Sequence, residues 1–161
     1  MTRHTIVGAV LSVMTLTGAG ASLAGPAQAT ATKDVRKARI LVHVTQGPDN
    51  PTRAALAFLV ARTALDEGHP VALFLAGDAV QLIRDGVLDN LTGLGTGKLR
   101  EHFDAIVKGG GRFYLSGGSS NARGVTEVDL KGKPAEFATP SVLLRLALEG
   151  SDAHVLMDRL F

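Results

Sequence analysis

The amino-acid sequence predicts an α/β fold of three layers, a mainly parallel sheet with helices on both faces. Two observations lead there. Short apolar runs rich in β-branched residues alternate along the chain with segments whose apolar residues recur at helical spacing. Parallel strands, in turn, need long crossovers, and helical crossovers bury the sheet they serve.

"ARILVHV", Ala38–Val44, reads as the first buried strand, broken by the turn formers of "TQGPDNP". Asn50 is placed to cap a helix that starts at Pro51, where a missing N–H does no harm. Along that helix Ala55, Phe58, Leu59, Arg62 and Leu65 share one face, interrupted only by the arginine, and Gly68 ends it. "HPVALFLA" is a second strand, Asp78 a cap, and "AVQLIRDGV" a short helix stopping near Gly86. The turn residues "DNLTGLGTG" lead to "KLREHFDAIVK", a helix with Leu99, Phe103, Ile106 and Val107 on one face, which closes into "GGG". "RFYLS" is the third strand. A poorly patterned segment follows. Then "TPSVLLRLALEG" offers Thr139 as cap, Pro140 in the first turn and Gly150 as stop, and "AHVLMD" is a last strand. In such sheets ligands gather beyond the carboxyl ends of the strands, here Thr45–Asn50, Gly77 with Asp78, and Ser116–Asn121.

The start of the chain has a different grammar. "MTRH" is positively charged, the next stretch is uncharged and mostly apolar, and "AQA" closes it with the small-x-small pattern of signal-peptidase cleavage. Residues 1–29 are expected to be a signal peptide cut after Ala29, 30–37 a linker and 38–161 the domain, which makes the protein exported, periplasmic or extracellular. An uncleaved anchor is the competing reading, since about 20 uncharged residues can cross a bilayer; glycines, threonines and serines dilute this stretch. No stable membrane insertion is expected after cleavage. The leader holds one arginine and no acid, so the 17 basic and 15 acidic residues become 16 and 15 in the mature chain. That balance, without aromatics interleaved among basic residues, excludes a nucleic-acid partner; Lys33–Arg39 reads as a solvated linker.

The chain has no cysteine. An exported domain of this kind relies on packing rather than disulfides, and thiol chemistry is closed to it. His43, His69, His102 and His154 lack the close spacing of a metal motif, so no metal and no cofactor is expected. "GLGTGK", Gly93–Lys98, imitates a phosphate loop but has Thr92 and Leu99 where that motif needs Gly and Ser or Thr, and no strand precedes it. "NLT" at Asn90 is too short a pattern to carry a glycosylation site. A serine hydrolase has candidate parts in Ser116 or Ser119, His43 and Asp78, but "SGGSSNARG" is not the nucleophile elbow, and no catalytic residue is assigned. Arg123, beside a helix start, suits either a bound anion or a surface ion pair.

"HVTQGPDNPTRAALAFLVARTALDEGH", "VALFLAGDAV", "GLGTGKLREHFDAIVKGGGRFYLSGGSSNARG" and "GKPAEFATPSVL" together resemble, in order and spacing, the DsrE-like family of sulfur-relay and related α/β proteins. The resemblance runs over about Ala38 to Met157. It implies a loop of the form C-G-x-C-x-x-A-R-G in which a cysteine carries a persulfide; aligned through "ARG", its two cysteine positions are Ser116 and Ser119. A hydroxyl cannot hold a transferable sulfane sulfur, because relay needs a thiolate. The resemblance also implies a homotrimer or homohexamer. The expected function is therefore a non-catalytic module that binds a small ligand, a small anionic ligand among the candidates, or serves in assembly. The candidate ligand-binding residues are His43, Gln46, Asp78, Ser116, Ser119, Asn121 and Arg123. A structural subunit supporting a cysteine-bearing partner is the alternative.

Overall fold

A computed structural model describes residues 37–148 and 153–156. The signal peptide, its cleavage point, nearly all of the linker and the stop at Gly150 lie outside the described residues. Five strands form one sheet in the order β6-β5-β2-β1-β7, every neighbour parallel: β1 (Ile40–Val44), β2 (Val71–Leu75), β5 (Arg112–Ser116), β6 (Ala135–Ala138) and β7 (Ala153–Leu156). The α/β class, the parallel sheet and the helices on both of its faces are as the sequence predicts.

Helix α1 (Pro51–Asp66) starts as expected, with the Asn50 side chain accepting the Arg53 N–H at 3.3 Å and Pro51 in the first position. Its C-terminal turn closes at Gly68, whose φ of 87° favours glycine, where the Gly68 and His69 N–H groups reach back to Leu65 and Ala64. The buried face differs from the expected one. Ala54, Ala55, Ala57, Phe58 and Ala61 are buried, Leu59 is half-buried, and Arg62 pairs with Asp66 at 3.5 Å at the helix edge. The helix is wedged between the sheet and α3 (Leu99–Lys108), so it buries a broad stripe of small residues, and small residues allow close approach.

Four other expectations are corrected. The helix expected over Ala79–Val87 is a 3-10 helix, Gly77–Ile83, followed by α2 (Asp85–Asn90), because Arg84 between them is extended; Gly86 lies inside α2 and stops nothing. Asp78 caps no helix: Ala76 holds the cap position and Asp78 sits exposed in the first turn. The turn before α3 contains a small antiparallel ladder, β3 (Thr92–Gly93) with β4 (Gly97–Lys98). Finally, the Gly/Ser loop is helical, α4 (Gly117–Ala122), and the unpatterned segment holds α5 (Glu127–Leu130) and the edge strand β6. With the sequence AEFA, β6 is too short and too poor in β-branched residues to be seen from composition.

On one face of the sheet Val42, Val44, Leu73, Leu75, Phe113 and Leu115 are fully buried under α1, α3 and the 3-10 helix. Phe113 is the centre of that core, with ring centroids 5.8 Å from Phe58 and 5.0 Å from Phe103. The other face carries α6 (Pro140–Leu148), whose Val142, Leu143, Leu146 and Ala147 pack on Leu41, Phe74 and Ala138. Thr139 precedes this helix, its hydroxyl 2.7 Å from that of Ser141.

Candidate functional site

Three chain segments meet at the carboxyl end of the sheet. Ala76 bonds through its N–H to the Val44 carbonyl, and Gly77 (φ 55°) then turns the chain so that Ala79 N–H reaches Thr45 O at 3.2 Å. Gly47 is pressed on Asp78: a Cβ there would stand 2.6 Å from the Asp78 Cβ and 2.8 Å from its carbonyl oxygen, so only glycine fits. From the other side, β5 delivers Ser116 and runs straight into α4, which carries Ser119 and ends at Arg123.

The polar contacts here form a chain. The Gly77 N–H donates to Ser119 Oγ at 3.0 Å, and Ser119 Oγ donates to Ser116 Oγ at 3.1 Å. Arg123 Nε donates to Asp78 Oδ1 at 2.6 Å, and Arg123 Nη1 reaches the Ser119 carbonyl at 3.4 Å. Arg84 secures the corner from behind, Nη2 donating to the carbonyls of Arg123 at 2.8 Å and Gly124 at 2.7 Å. Asp78, Ser116, Ser119 and Arg123 are thus brought together. Of the two roles open to Arg123, the ion pair is the one observed, with the guanidinium 28% and the carboxylate 54% exposed.

The remaining candidates stand elsewhere. His43 projects from the α6 face, edge-on to Phe74 with ring centroids 5.7 Å apart. The register pairs His43 with Phe74 and Phe74 with Tyr114, so Ser116 lies two strands across and two residues further along. At about 4.8 Å per strand and 3.3 Å per residue, that is on the order of 10 Å, too far for a serine–histidine pair. Gln46 is half-buried in the loop that Gly47 holds against Asp78, and Asn121 is exposed on α4. Sequence reasoning missed Gly47 and Arg84. The first was hidden in an ordinary turn, and the second acts through backbone carbonyls that no motif announces.

The family model for the DsrE/DsrF-like family matches residues 38–155. This chain belongs to that family. No curated protein matches it. Among solved structures it is similar to the YchN protein from E. coli, at 16% identity and a TM-score of 0.60, covering 73% of this chain and 97% of that one. It is also similar to the conserved protein of unknown function BT1422 from Bacteroides thetaiotaomicron, at 11% identity and a TM-score of 0.54, covering 73% and 93%. These likenesses are of fold. Within a DsrE-like scaffold, this chain has hydroxyls and no thiol anywhere.

Two other clusters bear on the reading. "GLGTGK" forms the β3–β4 turn, where the Leu94 N–H is held by Thr52 Oγ1 at 3.1 Å and a side chain on buried Gly93 would collide with Thr96 and Ala55. It is a packing turn. Below it, Arg100 of α3 donates to Asp89 at 2.7 Å and Asp85 at 2.8 Å, while Lys133, only 7% exposed, donates to Asp85 at 3.1 Å. The hydrogen bonds from Arg100 and then Lys133 hold the Asp85 carboxyl below the usual aspartate range, and Asp89 and then Asp85 raise Arg100. These bonds tie α2, α3 and the approach to β6 together. Among the described residues no group of three or more His, Cys, Asp or Glu could hold a metal ion, and no helix is long and apolar enough to cross a membrane.

Proposed function

We propose that this DsrE-like protein is an exported, non-catalytic module that holds a small ligand at the carboxyl end of its sheet and works as a homotrimer or a pair of trimers. The observation that carries this reading is the hydroxyl chain. Ser119, which takes the place of a persulfide-carrying cysteine, accepts from the Gly77 N–H and gives its one proton to Ser116. Ser116, accepting from Ser119, keeps its own proton for an acceptor outside the pair. A corner that donates outward, with Arg123 beside it, suits a small ligand rich in acceptor oxygens. An anion must share Arg123 with Asp78, so a carboxylate or a neutral polar molecule fits better than a multiply charged one.

Nothing in this corner activates a nucleophile. Ser119 and Ser116 are bonded to each other and to a backbone N–H rather than to a base, and His43 is out of reach, which disfavours the hydrolase reading. Support of a cysteine-bearing partner remains the second reading, favoured by the α6 face, where Leu144 and Leu148 are 60% and 80% exposed.

Native mass spectrometry of the purified protein tests both parts of the proposal. The expected result is a multiple of three chains, each beginning at Thr30, with a retained small mass that the Ser116→Ala variant loses. A bare monomer, or a retained mass indifferent to Ser116→Ala, would overturn it.

A further inference from the structure

A cavity lies at the amino end of the sheet, opposite the serine corner and on the face that α6 covers. The register pairs Leu41 with Ala72 and Ala72 with Arg112, so these three side chains stand in one row across β1, β2 and β5. Leu146 of α6 packs over that row. The methyl group of Ala72 is too short to fill the space between a leucine and an arginine, and a hollow of about 240 Å³ is left. Its walls are apolar, from Leu41, Pro70, Ala72 and Leu146, while Arg39 and Arg112 line it and are both exposed. Arg112 takes no part in the ion pairs found among the described residues.

We propose that this hollow binds a small amphiphilic anion: a carboxylate carried on a short, unbranched apolar chain. Charge complementarity selects the head, since a guanidinium at the rim can take a carboxylate through two parallel N–H donors. The apolar walls select the tail, because burying methylene groups there removes both surfaces from water. Size limits the length. A volume of about 240 Å³ has room for roughly eight groups the size of a water molecule at about 30 Å³ each. A free phosphate would leave the walls unused, and a bulkier drug-sized ligand needs about 300 Å³ or more. This site is independent of the serine corner.

Titration calorimetry with octanoate tests the proposal on the purified protein, with octanol as the uncharged control. Octanoate should bind with one site per chain. Arg112→Gln, a change at an exposed position that leaves the core alone, should weaken octanoate about tenfold, the loss of one charge-assisted pair, and leave octanol unaffected. Ala72→Leu should fill the hollow and remove both ligands while the thermal midpoint holds or rises. No octanoate binding up to millimolar concentration, or binding unchanged in both variants, would overturn the proposal. So would a change in oligomeric mass on Ala72→Leu, which would assign the hollow to a contact between copies of the chain.

Discussion

The two faces of the sheet present the same strands to very different surroundings. Toward α1 and α3, Val42, Val44, Leu73, Leu75, Phe113 and Leu115 are all fully enclosed, whereas α6 on the other face has no buried residue among its nine, and its Leu148 is 80% exposed. Among the described residues, strands and helices both contribute buried residues on the first face, whereas on the second Leu41, Phe74 and Ala138 are buried under a helix that itself stays partly exposed. Each fully buried large apolar side chain contributes about 1.5–3 kcal/mol, so the first face, with six of them on its strands against Leu41 and Phe74 on the second, carries the larger share of the stability. The second face, with its hollow at one end and the edge of the serine corner at the other, is free to serve recognition.

Breaking the first face should have the largest effect. Phe113→Ala removes the ring that Phe58 and Phe103 pack against and should cost about 3–5 kcal/mol in chemical denaturation. Leu144→Ala on the second face should change stability by no more than about 0.5 kcal/mol in the isolated chain. A Leu144→Ala loss comparable to that of Phe113→Ala would show that the second face is also enclosed, by another copy. Arg100→Ala should fall between them, at about 1 kcal/mol, because it frees α2 from α3 through largely solvent-screened pairs.

Acid should produce the smallest change. Asp85 has a folded-state pKa below its unfolded value, so its contribution is fully present above the unfolded pKa of about 3.9 and is lost as pH falls below that through the folded value. Denaturation midpoints measured from pH 6 down to pH 3 should therefore fall less steeply in Asp85→Asn than in the parent. Identical slopes would mean that the Arg100 and Lys133 bonds do not persist in solution.

Four of the five strands of the main sheet and the long helices were legible because their signals are local: β-branched runs, Asn50 before Pro51, and the apolar face of α3. What escaped depended on partners distant in sequence. The α1 face was misjudged because its alanines look neutral until a sheet and a second helix close on them. The expected α-helix after β2 is a 3-10 helix that the extended Arg84 separates from α2, and its start is fixed by Gly77 at φ 55° and by the close contact of Asp78 with Gly47, 31 positions earlier. The serine corner was placed by the strand-end rule and then by the family resemblance, but the ion pair of Arg123 with Asp78 could not be chosen over a bound anion by sequence alone. Nor could spacing show that register separates His43 from Ser116.

The central claim is that the corner keeps the form of a thiol-bearing loop while holding hydroxyls. The most direct test is to restore one sulfur, in Ser119→Cys, and follow iodoacetamide alkylation against pH, with exposed Ser141→Cys as the control outside the corner. The Gly77 N–H that now bonds Ser119 Oγ should stabilise a thiolate, and the alkylation midpoint at position 119 should lie below the free-cysteine value of about 8.5 while position 141 stays near it. Equal midpoints at the two positions would contradict the account, reducing Ser116 and Ser119 to ordinary turn residues.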